Sequence, residues 1–240
     1  MNMRTVVHSS QDVGLPEEGP VGFESCRLND RHCILRGELP VQLVLNPMEF
    51  QQLWEMHPAN FHLIKIHGRL VPTPRWPQAF GRDYHYTGQV NSALPLPPIL
   101  EPLLAWVSWA IDARLNGILV NWYDGQKGHY MGRHRDSTVN MIEGVPIVTI
   151  SFGEERLFRL RPRKGTGFID FPVRNGTVIV MPYVTNQHWR HEVPHSRNRT
   201  GRRISVTLRG FVDEHVGESP VRQAVSAEDE QVHEQYLPTE

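Results

Sequence analysis

Six short apolar or aromatic runs fill the chain after residue 116, and they leave little choice of fold. They are GILVNWY (117–123), PIVTISF (146–152), RLFRLRP (156–162), GFIDFPV (167–173), GTVIVMP (176–182) and RRISVTLRGF (202–211). Each is rich in β-branched or aromatic residues and is bounded by Gly, Pro or Asn, the punctuation of strands. Nothing between them repeats apolar residues at helical spacing, so the pattern predicts an all-antiparallel sandwich or barrel. Nineteen Gly and 19 Pro in 240 residues point the same way, towards strands and turns.

Helical signals come earlier. PMEFQQLWEMH (47–57) opens with Pro47 at a plausible first helical position and spaces Phe50, Leu53, Trp54 and Met56 as one face. Residues 97–115 carry a second stripe of Leu100, Leu103, Leu104, Val107, Ile111 and Leu115. Both helices are expected to pack outside the barrel. Between them, PTPRWPQAFGRDYHYTG (72–88) reads as loops and short strands. Residues 1–25 mix Ser, Gly, Pro and Glu without apolar periodicity and are expected to form a flexible arm. The folded domain is then residues 26–211, and residues 212–240 form an acidic tail expected to be disordered.

No apolar run approaches the roughly 18 residues a membrane span needs, and the N-terminus lacks the apolar core of a secretory signal. Two cysteines, Cys26 and Cys33, exclude a disulfide framework and a four-cysteine zinc site. An intracellular, reducing home is expected, cytoplasmic or, in a eukaryote, nuclear. Nothing in the sequence demands more than a monomer.

A net charge of −1 hides a polarity along the chain. The tail after residue 211 holds eight carboxylates against Arg222 alone, whereas residues 156–209 carry 12 basic residues against Asp170 and Glu192. A basic body with an acidic tail suggests an anionic partner. The plainer reading has arginines such as Arg163, Arg197 and Arg199 merely solvating loops.

Three features carry chemistry. His134-Arg135-Asp136, read as extended, projects an imidazole and a carboxylate to one face, as two ligands of one metal require. His188, His191 and His195 follow a core strand, and any one of them could complete two histidines and a carboxylate. That set binds Fe(II) and leaves positions open for a co-substrate and oxygen. In RRISVTLRGF, Arg203, Ser205, Thr207 and Arg209 share one face while Ile204, Val206 and Leu208 share the other. Arginines pointing into a barrel need an anionic partner, and a dicarboxylate between them would serve.

These residues together resemble a known family. The ordered run Asn121-x-Tyr123, His134-x-Asp136, a distal histidine and Arg203-x5-Arg209 looks like the AlkB-type 2-oxoglutarate and Fe(II)-dependent dioxygenases, over roughly residues 65–211. Upstream, PRWPQAFGRDYHYTG is similar to the substrate-recognition segment of the DNA-repair members. The resemblance implies a mainly β fold, a double-stranded β-helix (jelly-roll) core with flanking N-terminal helices. It implies iron held by His134, Asp136 and His191, the last because it precedes the Pro-containing HEVP turn. Tyr123 and Arg203 would hold the distal carboxylate of 2-oxoglutarate, Asn121 and Arg209 would lie near its chelating end, and Thr207 would line the pocket. Tyr86 would stack on an extruded base, with Arg135 and Thr138 nearby.

The activity implied is oxidative demethylation of N-alkylated bases in DNA or RNA, consuming O2 and 2-oxoglutarate and releasing succinate and formaldehyde. Two departures stand out: Thr138 replaces a carboxylate that repair members use to read the damaged base, and Ser205 stands where many members have asparagine. Thr138 and the modest overall charge favour a second reading, the same iron chemistry on a free nucleotide, another small molecule or a protein side chain. A silent barrel kept only for binding is a third reading, and the intact metal set with both arginines speaks against it.

Overall fold

A computed structural model describes residues 22–66, 68–86 and 89–212. The expected arm up to residue 21 and the tail from residue 213 lie outside the described residues. Two antiparallel sheets face each other. The larger has seven strands in the order β1 (Glu24–Arg27), β2 (Cys33–Glu38), β13 (Thr177–Met181), β10 (Ile147–Gly153), β15 (Arg202–Arg209), β8 (Gly117–Asp124) and β5 (Trp76–Phe80). The smaller runs β12 (Ile169–Val173), β11 (Arg156–Pro162), β14 (Trp189–Val193) and β9 (Met131–His134). Two hairpins, β3 (Leu63–Ile66) with β4 (Arg69–Pro72) and β6 (Tyr84–Tyr86) with β7 (Gln89–Asn91), stand beside them. This fits the antiparallel arrangement expected of the strand pattern and the jelly-roll core that the resemblance implies.

Strand alternation divides the interior into two cores. Val120 and Trp122 on β8, Val148, Ile150 and Phe152 on β10, and Ile204, Val206 and Leu208 on β15 face outward from the barrel. They pack under α1 (Pro47–Glu55) and α2 (Glu101–Ala110), which contribute Leu53, Trp54, Leu103 and Val107. Each such side chain, fully buried, contributes about 1.5–3 kcal/mol. The alternate residues enter the space between the sheets, where Leu119, Ile147, Phe158, Leu160, Ile179 and Trp189 form the second core.

Both expected helices exist, and both are shorter than their apolar stripes. Helix α1 starts where expected because Asn46 accepts from the Met48 and Glu49 amides while Glu49 reaches back to the Asn46 amide, a reciprocal cap ahead of Pro47. For α2 the stripe 97–115 overreaches: Pro97 and Pro98 lead a turn before Glu101, and the helix stops at Ala110. Ile111 and Leu115 stay buried without being helical. A six-residue helix, α3 (Tyr183–His188), interrupts the strand-rich half where no helix is expected. Strand β1 takes in Glu24 and Ser25 from the segment read as an arm.

No helix among the described residues is long and apolar enough to cross a membrane. Of the basic residues in 156–209, Arg156, Arg203 and Arg209 are buried inside the barrel. Arg159 pairs with Asp170 at 2.6 Å, Arg161 with Glu192 at 2.7 Å and Arg199 with Glu155 at 2.6 Å. The positive excess available to an external partner is therefore smaller than the residue count suggests.

Candidate metal centre and its pocket

His134 ends β9 and His191 lies on β14, and the two are direct partners across the ladder. Their ring centroids are 4.3 Å apart. The Nε2 atoms of His134 and His191 lie 3.6 and 3.8 Å from the same Asp136 oxygen, Oδ1. These three side chains bring their ligand atoms within 4.8 Å of one another. Of the three candidate third histidines, only His191 joins the cluster. His188 turns away to stack at 4.8 Å on His32, and His195 packs edge-on to Tyr130.

Asp136 is not on the strand, contrary to the expectation that His134 and Asp136 share an extended segment. Buried Asn186 of α3 accepts from the Asp136 amide and donates to its carbonyl, both at 3.0 Å. Those bonds take the place of a strand neighbour and fix the turn that brings the carboxylate back. His134 is oriented by its own backbone, since Nδ1 lies 2.8 Å from the Gly132 carbonyl and Nε2 is left to face Asp136. Phe158 stacks on His191 at 5.2 Å.

The electrostatics suit a divalent cation. Burial alone would raise the Asp136 pKa, but Arg209 and the two imidazoles outweigh it and hold the carboxyl well below its usual range. Arg209 donates to Asp136 Oδ2 from Nη2 at 2.7 Å and from Nε at 3.3 Å. Burial lowers the His191 pKa to about 3, keeping the imidazole a neutral donor. Tyr84, whose hydroxyl is 3.4 Å from Asp136 Oδ1, is pushed up by burial and by that carboxylate. Two imidazoles and one carboxylate fit a 2-His-1-carboxylate iron site.

From Asp136 the inner wall runs along β15 and β8. Thr207 stands beside Thr149, with 3.5 Å between the hydroxyls. Ser205 pairs in register with Asn121, and Arg203 with Tyr123. Asn121 Oδ1 accepts from Arg75 Nε at 2.7 Å. Arg203 is 1% exposed; its Nη2 donates to Ser151 Oγ at 2.9 Å, but Nε and Nη1 have no partner. Burial lowers its pKa, partly offset by Tyr123, over whose ring it sits at 5.0 Å. A buried guanidinium with two unused N–H groups could hold an anion such as the far end of a dicarboxylate.

The structure brings Asn121, Tyr123, Arg203, Thr207 and Arg209 to this wall. Tyr86 lies on β6, two residues beyond Tyr84, with ring centroids 5.3 Å apart, and its other neighbour is His62 at 5.4 Å. Arg135, between two of the cluster residues, and Thr138, two residues beyond Asp136, are half-buried. Sequence reasoning missed Tyr84, Asn186, Arg75 and Arg156. Tyr84 shares parity with Tyr86 in DYHY, and Arg156 shares parity with Phe158 and Leu160, so both could have been found; nothing in VTNQH marks Asn186.

The chain is similar to known proteins. The family model described as 2OG-Fe(II) oxygenase superfamily matches residues 39–209. The DNA oxidative demethylase ALKBH2 of Homo sapiens is 28% identical over 157 residues, 61% of this chain and 60% of that protein. ALKBH2 of Bos taurus is 27% identical over 194 residues, 76% of this chain and 68% of that protein. The alpha-ketoglutarate-dependent dioxygenase alkB homolog 3 of Rattus norvegicus is 26% identical, over 58% of this chain and 50% of that protein. The chain thus spans between half and about two thirds of these curated relatives. A crystal structure of an oxidoreductase of the 2OG-Fe(II) oxygenase family from Burkholderia pseudomallei aligns with a TM-score of 0.47 at 18% identity, covering 75% of this chain and 88% of that one.

Proposed function

The chain belongs to the 2OG-Fe(II) oxygenase superfamily, in its AlkB-type branch, and from that premise we propose that it oxidatively demethylates N-alkylated bases in DNA or RNA. It is a dioxygenase using Fe(II), 2-oxoglutarate and O2. The observation that carries the chemistry is one wall with the His134, Asp136 and His191 cluster at one end and the half-satisfied Arg203 at the other. The nucleic-acid substrate is supported by the two ALKBH2 relatives, which are DNA oxidative demethylases by name, and by the Tyr84, Tyr86 and His62 rings near the cluster.

His134, Asp136 and His191 would hold Fe(II), which when bound couples decarboxylation of 2-oxoglutarate to hydroxylation of a substrate C–H bond. Arg203 and Tyr123 would anchor the distal carboxylate, with Thr207 against the chain between. Arg209 keeps Asp136 ionised and aimed, and with Asn121 borders the chelating end. Buried Phe158 against His191, Met131 against Tyr123 and Leu119 opposite Thr207 supply apolar surface beside these residues. Tyr86 would stack on an extruded base, and Arg135 and Thr138 would border it. No side chain need act as nucleophile or general base.

The test is product release from iron-reconstituted protein given 2-oxoglutarate and single-stranded oligonucleotides carrying N1-methyladenine or N3-methylcytosine. Matched succinate and formaldehyde support the proposal. Succinate release stimulated by free methylated nucleotides alone would replace it with a small-molecule oxygenase, the reading that Thr138 favours because it offers a cationic base no negative charge. Absence of both products with every substrate would reject the oxygenase reading itself.

A further inference from the structure

Two buried arginines come from opposite sheets. Arg203 comes from β15; Arg156 comes from β11, where it shares the inward face with Phe158 and Leu160 and is 2% exposed. Arg156 donates through Nη2 to the carbonyls of His129 at 3.0 Å and Pro194 at 2.9 Å. Both acceptors are neutral. Arg203 sits 5.0 Å over the Tyr123 ring and pairs in register with Gly153, three residues before Arg156, so both guanidinium groups lie within electrostatic reach of Tyr123 and of each other. The nearby Glu154 carboxylate is engaged elsewhere, its Oε2 accepting from the Gly201 amide at 2.7 Å. Among the described residues neither Arg156 nor Arg203 forms an ion pair.

Two positive charges buried around one phenol are strongly disfavoured unless an anion joins them. Arg203 with Tyr123 supplies directional donors; Arg156 supplies a second charge in a place where water cannot screen it. We propose that Arg156 is a specificity-determining residue for the co-substrate, the second positive charge that makes this pocket prefer a 2-oxo acid carrying a distal carboxylate. The proposal rests on the superfamily reading and adds a residue to it.

A purely structural role must be separated from this one, because Arg156 also ties the turn before β9 to the end of β14, the two strands that carry His134 and His191. Anaerobic calorimetric titration of the Fe(II)-loaded protein distinguishes them, with two probes. 2-Oxoglutarate has a distal carboxylate, and oxalate chelates iron without one. Arg156→Gln should bind 2-oxoglutarate about tenfold more weakly while oxalate affinity holds within about twofold, as loss of one nearby charge requires. Arg156→Lys, which keeps the charge, should stay within about threefold of wild type for both probes. Arg156→Met offers the same neutral comparison should the glutamine variant not fold. Equal losses for 2-oxoglutarate and oxalate would make Arg156 a strand clip only and overturn the proposal, as would unchanged 2-oxoglutarate binding. Wild-type protein that binds oxalate but not 2-oxoglutarate would instead reject the co-substrate reading on which the proposal rests.

Discussion

Arg209 and Asp136 form a buried ion pair, 2.7 Å between Nη2 and Oδ2, while the other carboxylate oxygen faces both histidines. Parity along β15 places Arg209 on the pocket wall; the contact with Asp136 gives it a hold on the metal site as well. Arg209→Gln should therefore weaken Fe(II) binding by about 10- to 100-fold, the usual effect of losing a partner that orients a ligand. The 2-oxoglutarate requirement should rise in parallel. Metal titration followed by tryptophan fluorescence checks this; unchanged iron affinity would show that the pair does nothing for the metal.

Asn186 makes a second prediction. It is fully buried, and it satisfies both the amide and the carbonyl of Asp136. Asn186→Ala strands two buried backbone groups, which costs about 2–4 kcal/mol. For a domain of this size that is a fall in Tm of roughly 4–16 °C. Iron affinity should fall with it, because Asp136 is no longer held in its turn. Asn186→Asp should not rescue, since it lacks the donor that the carbonyl needs. Thermal melting with and without metal tests both points.

Much of this architecture is legible in residue order, for reasons that particular segments make plain. The six strand runs each become a strand because β-branched alternation has one good solution when both faces are buried. RRISVTLRGF also reveals its inward face, since only the barrel side can tolerate Arg203, Ser205, Thr207 and Arg209. What stays hidden is whatever depends on a partner far along the chain. Helix α3 is too short to show a period, and Asn186 acts only because α3 delivers it to Asp136, 50 residues earlier. Parity with Phe158 and Leu160 puts Arg156 on the inward face of RLFRLRP, but what it faces emerges only when β11 packs opposite β15. The 97–115 stripe overstates α2 because burial, rather than helix, is what Ile111 and Leu115 share.

Acid should destabilise the protein through His129. Burial lowers its pKa to about 4, and its Nδ1 accepts the Asp124 amide at 3.1 Å, a bond only the neutral ring can take. Above about pH 6.5 the ring is neutral in both folded and unfolded chains and contributes no pH dependence. Below that, the unfolded chain gains a proton that the folded chain refuses until about pH 4, so stability falls as pH falls. Between pH 7 and pH 5 this amounts to about 2 kcal/mol. His129→Asn should flatten the slope of unfolding free energy against pH over that window; an unaltered slope would assign the effect elsewhere.

Tyr86 separates substrate recognition from iron chemistry. If its ring stacks on a base, Tyr86→Ala should raise KM for a methylated oligonucleotide by about tenfold or more. Tyr86→Phe should behave as wild type, because stacking needs the ring and not the hydroxyl. Succinate formed slowly without nucleic acid should be unchanged in both. A KM untouched by the alanine variant would leave Tyr86 as packing for Tyr84 and His62.

Strand β15 has a consequence for how errors are rejected. Its two faces are chemically opposite, with Arg203, Ser205, Thr207 and Arg209 on one side and Ile204, Val206 and Leu208 on the other. Shifting the strand by a single position against β8 and β10 would drive both arginines under the helices and turn three aliphatic side chains into the pocket. Such a chain would lose its main core together with its anion anchors. The same alternation that shapes the inner wall thereby proofreads folding, and it leaves no stable misregistered form to accumulate.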